Sequence, residues 1–302
     1  MAFINMDSSN CSEKFYSSDI SASIIVVTYN SIKHVDNCLK SLLAQQYKGK
    51  FEIIVVDNDS RDGTRQHIGQ NFPSILIHAC NNDGFGVANN AGADLAQGKF
   101  LAFLNPDTIA DKNWLQELSK VAEQGKALAT SKLLLMHDKD RMDGVGQHIS
   151  FLGWGSAIDQ NASNNNSDDQ IREIGGISGA AFGIYKSDYL ALGGFYEKIF
   201  LYCEDTELSI HAKRRGMQIL YAPKSIAYHD YQLNLNPEKF YHLEYGRWAA
   251  LRRHYTNLEF FSILPSIFLS ELMACLYLLT LDPKLFIAKQ KAFFNSDWKN
   301  SN

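Results

Sequence analysis

The run Phe100-Leu-Ala-Phe-Leu-Asn-Pro-Asp107 carries an apolar chain into a proline break with one carboxylate beside it. A short apolar run with a polar boundary predicts a buried strand. A carboxylate released at the carboxyl end of such a strand sits where open α/β sheets bind their ligands. One oxygen donor at that place suits a hard divalent cation, and such a cation brings phosphate with it. An Asx-type turn is the competing reading of the same residues. Glu204-Asp205, two adjacent acids where a helical pattern begins, form a second candidate. Side by side they raise one another's pKa, which suits a general base at neutral pH. Their plainer reading is stabilisation of the helix dipole, worth up to about 1 kcal/mol.

The elements that position these residues alternate. Apolar, β-branched runs predict strands at 23–27, 51–56, 74–79, 99–104, 127–136 and 218–222. Helical spacing falls at 35–46, from Thr64 onward, at 87–96, at 111–124 with Asp111 as N-cap, and at 203–215 before Gly216. Strands alternating with helices mean a parallel sheet with right-handed crossovers. The residues after successive strands then converge on one edge: Thr28-Tyr29-Asn30, Asp57-Asn58-Asp59, the Asn81 to Gly86 loop and Asn105-Pro106-Asp107. Four polar strand ends at one edge predict a polar pocket. Neither GxGxxG nor GxxxxGK[ST] follows the first strand, which leaves a nucleotide held by side chains and a metal.

The 302 residues fit one large domain or one domain with an appendage. A net charge of −4 without a dense basic run excludes nucleic acid as a partner. Five scattered cysteines without a CxxC pair argue for a reducing compartment and against zinc. No signal-peptide pattern opens the sequence, and residues 1–21 are expected to be a flexible segment. The polar stretch 159–170 is expected to be an exposed loop. Residues 260–281 are strongly apolar, interrupted by Pro265 and Glu271, and approach the roughly 20 residues of a membrane span. Glu271 at a bilayer centre would cost about 3 kcal/mol, and basic residues flank both ends. A helix lying in the membrane interface fits this pattern better than a span; a buried helical hairpin is the other reading. The expected division is therefore 1–21, a catalytic domain over 22–255, and a hydrophobic, basic C-terminal helical region over 256–302 that touches the membrane peripherally.

Taken in order, Val26-Val-Thr-Tyr-Asn30, Val55-Val-Asp-Asn-Asp-Ser60, Asn82-Asp-Gly-Phe-Gly-Val-Ala-Asn-Asn-Ala-Gly92, Leu104-Asn-Pro-Asp107 and Tyr202-Cys-Glu-Asp-Thr-Glu-Leu208 resemble the inverting family 2 glycosyltransferases of GT-A fold. The resemblance is strongest to the bacterial rhamnosyltransferase-like branch and spans roughly residues 22 to 250. It implies an α/β fold with a central, mostly parallel sheet flanked by helices. It also implies a nucleotide-sugar donor and a divalent cation, Mg²⁺ or Mn²⁺, bound through Asp107, with His229 at the metal or diphosphate. Asn105-Pro106-Asp107 keeps only the last acid of a DxD-type motif, as in that branch.

The same resemblance assigns Thr28, Tyr29, Asp57 and Asn58 to the base and ribose, and counts Asn30 among the donor-binding residues. It assigns Asn82, Gly84, Phe85, Asn90 and Asn105 to the diphosphate and donor sugar. Asp205 becomes the general base, with Glu204 positioning the acceptor or substituting for it. Trp154 and the Gly176 to Ala181 loop are expected to shape the acceptor and donor-sugar pocket. The implied reaction moves rhamnose or another deoxyhexose from a dTDP- or UDP-sugar to a glycan or lipid-linked acceptor, at the cytoplasmic face of the membrane, in cell-surface polysaccharide synthesis. Two other classes compete. A sugar nucleotidyltransferase needs a Gly-rich, Arg-containing loop after the first strand, where Thr28-Tyr29-Asn30 stands instead. A non-catalytic binding module has no use for a base such as Asp205.

Overall fold

The structure, a computed structural model, describes residues 20–125, 127–164, 170–231 and 235–296. All but the last two residues of the segment expected to be flexible lie outside the described residues, as do positions 165–169 of the polar loop. In chain order the first half comprises β1 (Ile20–Thr28), α1 (Val35–Leu43), β2 (Lys50–Asn58), α2 (Thr64–Asn71), β3 (Leu76–Cys80), α3 (Phe85–Leu95) and β4 (Phe100–Leu104). Next come β5 (Thr108–Ala110), α4 (Trp114–Ala122), β6 (Ala127–Leu135), β7 (Met142–Gly144), β8 (Gln147–Ile149), β9 (Gly155–Ala157), β10 (Arg172–Glu173) and β11 (Ala181–Tyr185). The chain closes with α5 (Lys186–Leu192), α6 (Glu204–Arg214), β12 (Gln218–His229), α7 (Pro237–His254), α8 (Asn257–Leu281) and α9 (Pro283–Asn295).

The main sheet runs β10-β12-β6-β11-β4-β1-β2-β3, with β5 on β12 and β7 on β6. β1 is parallel to β2 and β4, β2 to β3, and β12 to β6, whereas β11 runs antiparallel between β4 and β6. Alternate side chains supply two apolar layers, as the two-residue period of a strand requires. Ile24, Val26, Val55 and Ala102 pack with Leu39 and Trp114 on one face. Ile25, Val27, Ile54, Val56 and Phe103 pack with Tyr189, Phe195 and Leu208 on the other. Burial on both faces explains why these strands read as unbroken apolar runs. The register pairs Thr28 with Asp57 and Asn58 with Cys80, so the polar strand ends lie in one row.

Three local expectations change. Asp111 does not cap α4; its Oδ1 accepts from Asn113 N, and the helix begins only at Trp114. The strand expected over 218–222 continues to His229 through a register shift between Ala222 and Ile226, beside Pro223. Pro265 does not interrupt the apolar run: α8 is continuous, opened by a capping box between Thr256 and Glu259.

The C-terminal helices join the body through a third apolar cluster of Trp248, Leu251 and Ile267, with Leu152, Phe260, Ile263 and Phe293 against it. Within this contact lies a buried quartet of charges. Arg247 Nη2 donates to Glu244 Oε2 at 2.8 Å and to Glu271 Oε1 at 2.7 Å. Lys289 Nζ pairs with Glu244 Oε2 at 2.8 Å and Glu271 Oε2 at 2.9 Å. Two cations meeting two anions is the condition under which buried charge is tolerated. Glu271, the acid that interrupts the apolar run, therefore faces α7 and α9.

Candidate functional site

A cleft of about 580 Å³ opens over the carboxyl ends of β1, β2 and β4. Of the residues expected to hold the donor, Tyr29, Asn30, Asn58, Asn82, Phe85, Asn105 and Asp107 line it, joined by His34, Phe200, Tyr202 and Glu238. Thr28 and Asp57 are buried, with Thr28 Oγ1 donating to Asp57 Oδ1 at 3.1 Å and Ser60 N to Asp57 Oδ2 at 3.2 Å. This ties the first two strand ends together. Asn30 takes a left-handed backbone, φ 51°, and its Oδ1 accepts from Arg61 N at 2.8 Å. Asn58 Nδ2 donates to Asn82 Oδ1 at 2.9 Å, coupling the second and third loops across the cleft wall.

Two expected donor residues face elsewhere. The Asn90 amide is saturated: Nδ2 donates to Phe195 O and Glu197 Oε1, while Oδ1 accepts from Tyr189 Oη and Phe195 N. With both hydrogens and both lone pairs used, Asn90 braces the 189–197 segment and has no capacity left for a donor. Gly84, at φ 125°, is required because a Cβ there would lie 2.8 Å from Phe200 O. The close approach it permits is to this neighbouring backbone, sealed by Phe85 N donating to Phe200 O at 2.9 Å.

At the cleft's deep end Asn105 Oδ1 and Asp107 Oδ1 are buried acceptors without a hydrogen bond. Asp107 Oδ1 faces His229 Nε2 at 3.4 Å, an ion-pair distance too long for a good hydrogen bond. Burial pushes the Asp107 carboxyl up, but the His229 contact outweighs it and holds the group below its ordinary value. The other ring nitrogen, His229 Nδ1, lies 2.7 Å from Asp143 Oδ2. Burial alone would lower the imidazole pKa; Asp107 and Asp143 overcome that and raise it to about 9. A carboxylate behind a histidine orients the ring, leaving the far nitrogen for whatever occupies the cleft.

The residues present fit a cation in part. Asn105 Oδ1 and Asp107 Oδ1 are unsatisfied oxygens of the type a divalent ion accepts, and His229 beside them would join such a site only on losing the proton that its raised pKa holds. No group of three His, Cys, Asp or Glu side chains with metal-binding geometry occurs among the described residues. Diphosphate oxygens and water would have to complete any shell.

His229 also borders a second, smaller pocket of about 170 Å³, with Asp143, Gln147, Gln160, Ser178 and Tyr231 in its wall. Gln147 leads to the acidic pair. Its Nε2 donates to Asp205 Oδ2 at 2.7 Å, and its Oε1 accepts from Thr206 Oγ1 at 2.6 Å. Gly179 N donates to the same Asp205 oxygen at 2.9 Å, and Thr206 N to Oδ1 at 2.7 Å. Burial raises the Asp205 pKa, and these bonds draw it back without cancelling the shift. Glu204 is buried with Oε2 unpartnered, and burial, reinforced by the Asp205 charge, pushes its pKa up to about 8. Burial thus raises both carboxyls, and Asp205 has the hydrogen bonds that oppose the shift while Glu204 Oε2 has none.

A strained turn presents this pair. Tyr202 and Cys203 both take left-handed backbone, φ 65° and 66°, directly before α6. Non-glycine residues in that region cost of order 1–3 kcal/mol each. Packing by α7 holds them there: Cys203 Sγ contacts Leu243 O at 3.4 Å, and a Cβ on Gly246 would meet Cys203 Cβ at 2.6 Å.

Sequence reasoning missed Asp143 and Gln147, which stand on three-residue strands too short to give a periodic signal. Trp154, expected at the acceptor pocket, instead lies over the Arg247 guanidinium at 4.5 Å, beside the charge quartet. The Gly176 to Ala181 loop does reach the site, through Ser178 and Gly179 N.

Known proteins share sequence and fold with this chain. The chain is 36% identical over 101 residues to the glycosyltransferase AglE of Haloferax volcanii, covering 31% of this chain and 33% of that one. It is 31% identical over 107 residues to the poly(ribitol-phosphate) beta-N-acetylglucosaminyltransferase TarS of Staphylococcus aureus, over 34% of this chain and 19% of TarS. The chain thus spans a third or less of the length of these curated relatives. The crystal structure of TarS 1–349 with UDP-GlcNAc superposes at a TM-score of 0.55 and 20% identity, over 92% of this chain and 79% of that one. The crystal structure of GalNAc-T7 with UDP, GalNAc and Mn²⁺ superposes at 0.64 and 14% identity, over 78% and 48%. At these identities the structural likeness speaks for the fold alone. The family description glycosyl transferase family 2 matches residues 23–174, half of the chain and all four polar strand ends, and by that match the chain belongs to family 2, built on the GT-A fold.

Proposed function

We propose that this protein is an inverting glycosyltransferase that moves a sugar from a nucleoside diphosphate donor to a hydroxyl of a growing glycan or lipid-linked acceptor. The observation that carries the reading is the pair of orphaned oxygens, Asn105 Oδ1 and Asp107 Oδ1, in the wall of a cleft sized for a nucleotide sugar. A buried acceptor without a partner costs about 1–3 kcal/mol, which a bound ligand would repay. In this reading Tyr29, Asn30 and Asn58 receive the base and ribose, with Thr28 and Asp57 fixing their loops from behind. Asn82, Phe85 and Asn105 adjoin the diphosphate and sugar. Asp107 and His229 would hold Mn²⁺ or Mg²⁺, which when bound supplies Lewis-acid charge to the departing diphosphate.

Asp205 takes the proton of the acceptor hydroxyl. The freed oxygen attacks the anomeric carbon from the face opposite the diphosphate, and the bond to the nucleoside diphosphate breaks. Glu204, whose pKa burial and the Asp205 charge push up to about 8, stands beside it. A uridine or thymidine donor is the favoured class, with rhamnose or another deoxyhexose as the sugar. The setting is cell-surface polysaccharide synthesis at the cytoplasmic face of the membrane.

A screen of dTDP- and UDP-sugars by nucleotide release, with and without Mn²⁺ or Mg²⁺ and with a lipid-linked acceptor, tests the proposal. Asp205→Asn is expected to lower kcat by about 10²–10⁴-fold while sparing donor affinity. Asp107→Ala is expected to weaken donor binding only when the cation is present. Unchanged turnover in the first variant would sink the base assignment, and unchanged affinity in the second the metal assignment.

A further inference from the structure

Helix α8 has two unlike sides. Phe260, Ile263, Ile267 and Glu271 turn toward α7 and α9, where the charge quartet and the third apolar cluster hold them. On the other side Leu258, Phe261, Phe268, Leu269, Met273 and Tyr277 are each at least 60% exposed. Over its 25 residues, about 37 Å of helix, the exposed side carries no charge. Three of the helix's hydroxyls bond back to it: Ser262 donates to Glu259 O, Ser270 to Ile267 O and Thr280 to Tyr277 O, while the Tyr277 phenol stays exposed. The exposed residues of α9 add Lys284, Ile287, Lys291 and Phe294, spaced along one stripe. Neither lysine has an ion-pair partner among the described residues.

We propose that this face of α8, with the lysine stripe of α9, docks the protein on an anionic lipid bilayer, with α8 lying in the interface plane. The surface can exist whether or not the chain transfers a sugar, so it does not rest on the reading above. Lipid is the occupant because the face offers a protein little that is polar beyond the Tyr277 phenol, and a tyrosine suits a membrane interface. Protein interfaces carry a polar rim, about one hydrogen bond per 100–200 Å², and few lysines. Here Ser262, Ser270 and Thr280 bond back to their own helix, as groups facing hydrocarbon must, and the adjoining helix α9 adds two exposed lysines, which anionic headgroups favour. The quartet sets the orientation. With Glu271 locked to Arg247 and Lys289, a crossing helix would have to tear apart a charge quartet of which three members are buried.

Sedimentation of the full chain with phosphatidylcholine vesicles, with and without phosphatidylglycerol, tests this, alongside light scattering of the protein alone. Binding is expected to be stronger on the anionic vesicles. The double variant Lys284→Gln/Lys291→Gln should lose that advantage by about thirtyfold, some fivefold per lysine. Phe268→Asp/Met273→Asp should lose binding to both vesicle types, and because both positions are exposed its circular dichroism should match the wild type. Wild-type protein that stays in the supernatant with anionic vesicles would overturn the proposal. So would an oligomer that the aspartate pair converts to monomer without any vesicle binding, which would assign the face to a second copy of the chain. If the aspartate pair fails to fold, the glutamine pair on the native fold still decides the lipid contribution.

Discussion

Glu204 and Asp205 share a helix turn but not an environment. Gln147, Gly179 and Thr206 bond to Asp205, whereas Glu204 Oε2 is buried with nothing. The consequence for stability has a definite sign. In the unfolded chain the Glu204 carboxyl releases its proton near 4.5, in the folded protein near 8. Between those values the native state binds the extra proton, so stability falls as pH rises through the window and levels off above it. Glutamine does not titrate. The melting-temperature gain of Glu204→Gln over wild type should therefore grow from pH 5 to pH 8.5, with a ceiling of about 1.4 kcal/mol per pH unit. A gain that does not change with pH would refute the assignment. Asp107 was legible as a strand-end acid because a buried strand and a proline frame it locally. Its partner His229 is 122 positions later, and only the pairing of β12 with β5 brings the two to 3.4 Å.

Among the elements, strands β1 to β4 and helices α1 to α3 were readable because each is a contiguous apolar run, a helically spaced segment or a stretch with a punctuated boundary. The short strands β5 and β7 to β10 were not, since two or three residues carry no period. Helix α7 was unreadable for another reason: its buried positions include Glu244, Gly246 and Arg247, which do not look like a core stripe. Those residues take their meaning from α8 and α9. Arg247→Met would leave Glu244 and Glu271 sharing Lys289 alone. Breaking a buried ion set in this way costs about 3–5 kcal/mol, and urea unfolding should show a loss of that order. A loss under about 1 kcal/mol would mean that the quartet contributes specificity and not stability.

At the scale of the whole molecule, a cut at residue 255 follows a helix boundary but not a packing boundary. Trp248 and Leu251 on one side share a cluster with Ile267 and Phe293 on the other. A chain ending at Tyr255 would expose Trp248 and leave Arg247 without Glu271. It should unfold at clearly lower urea concentration than the full chain, and an unchanged midpoint would establish 256–302 as a separable appendage. The sequence by itself determined the alternation of strands and helices, the convergence of polar strand ends and the order of the family's motifs. Each of those is written in contiguous residues whose period or punctuation acts locally. Only the tertiary structure decided that Asn90 turns away from the cleft, that Asp143 and Gln147 stand behind His229 and Asp205, and that Glu271 faces inward to leave one side of α8 without charge. Those outcomes depend on which distant groups satisfy a buried donor, acceptor or charge, and no local pattern records the partner.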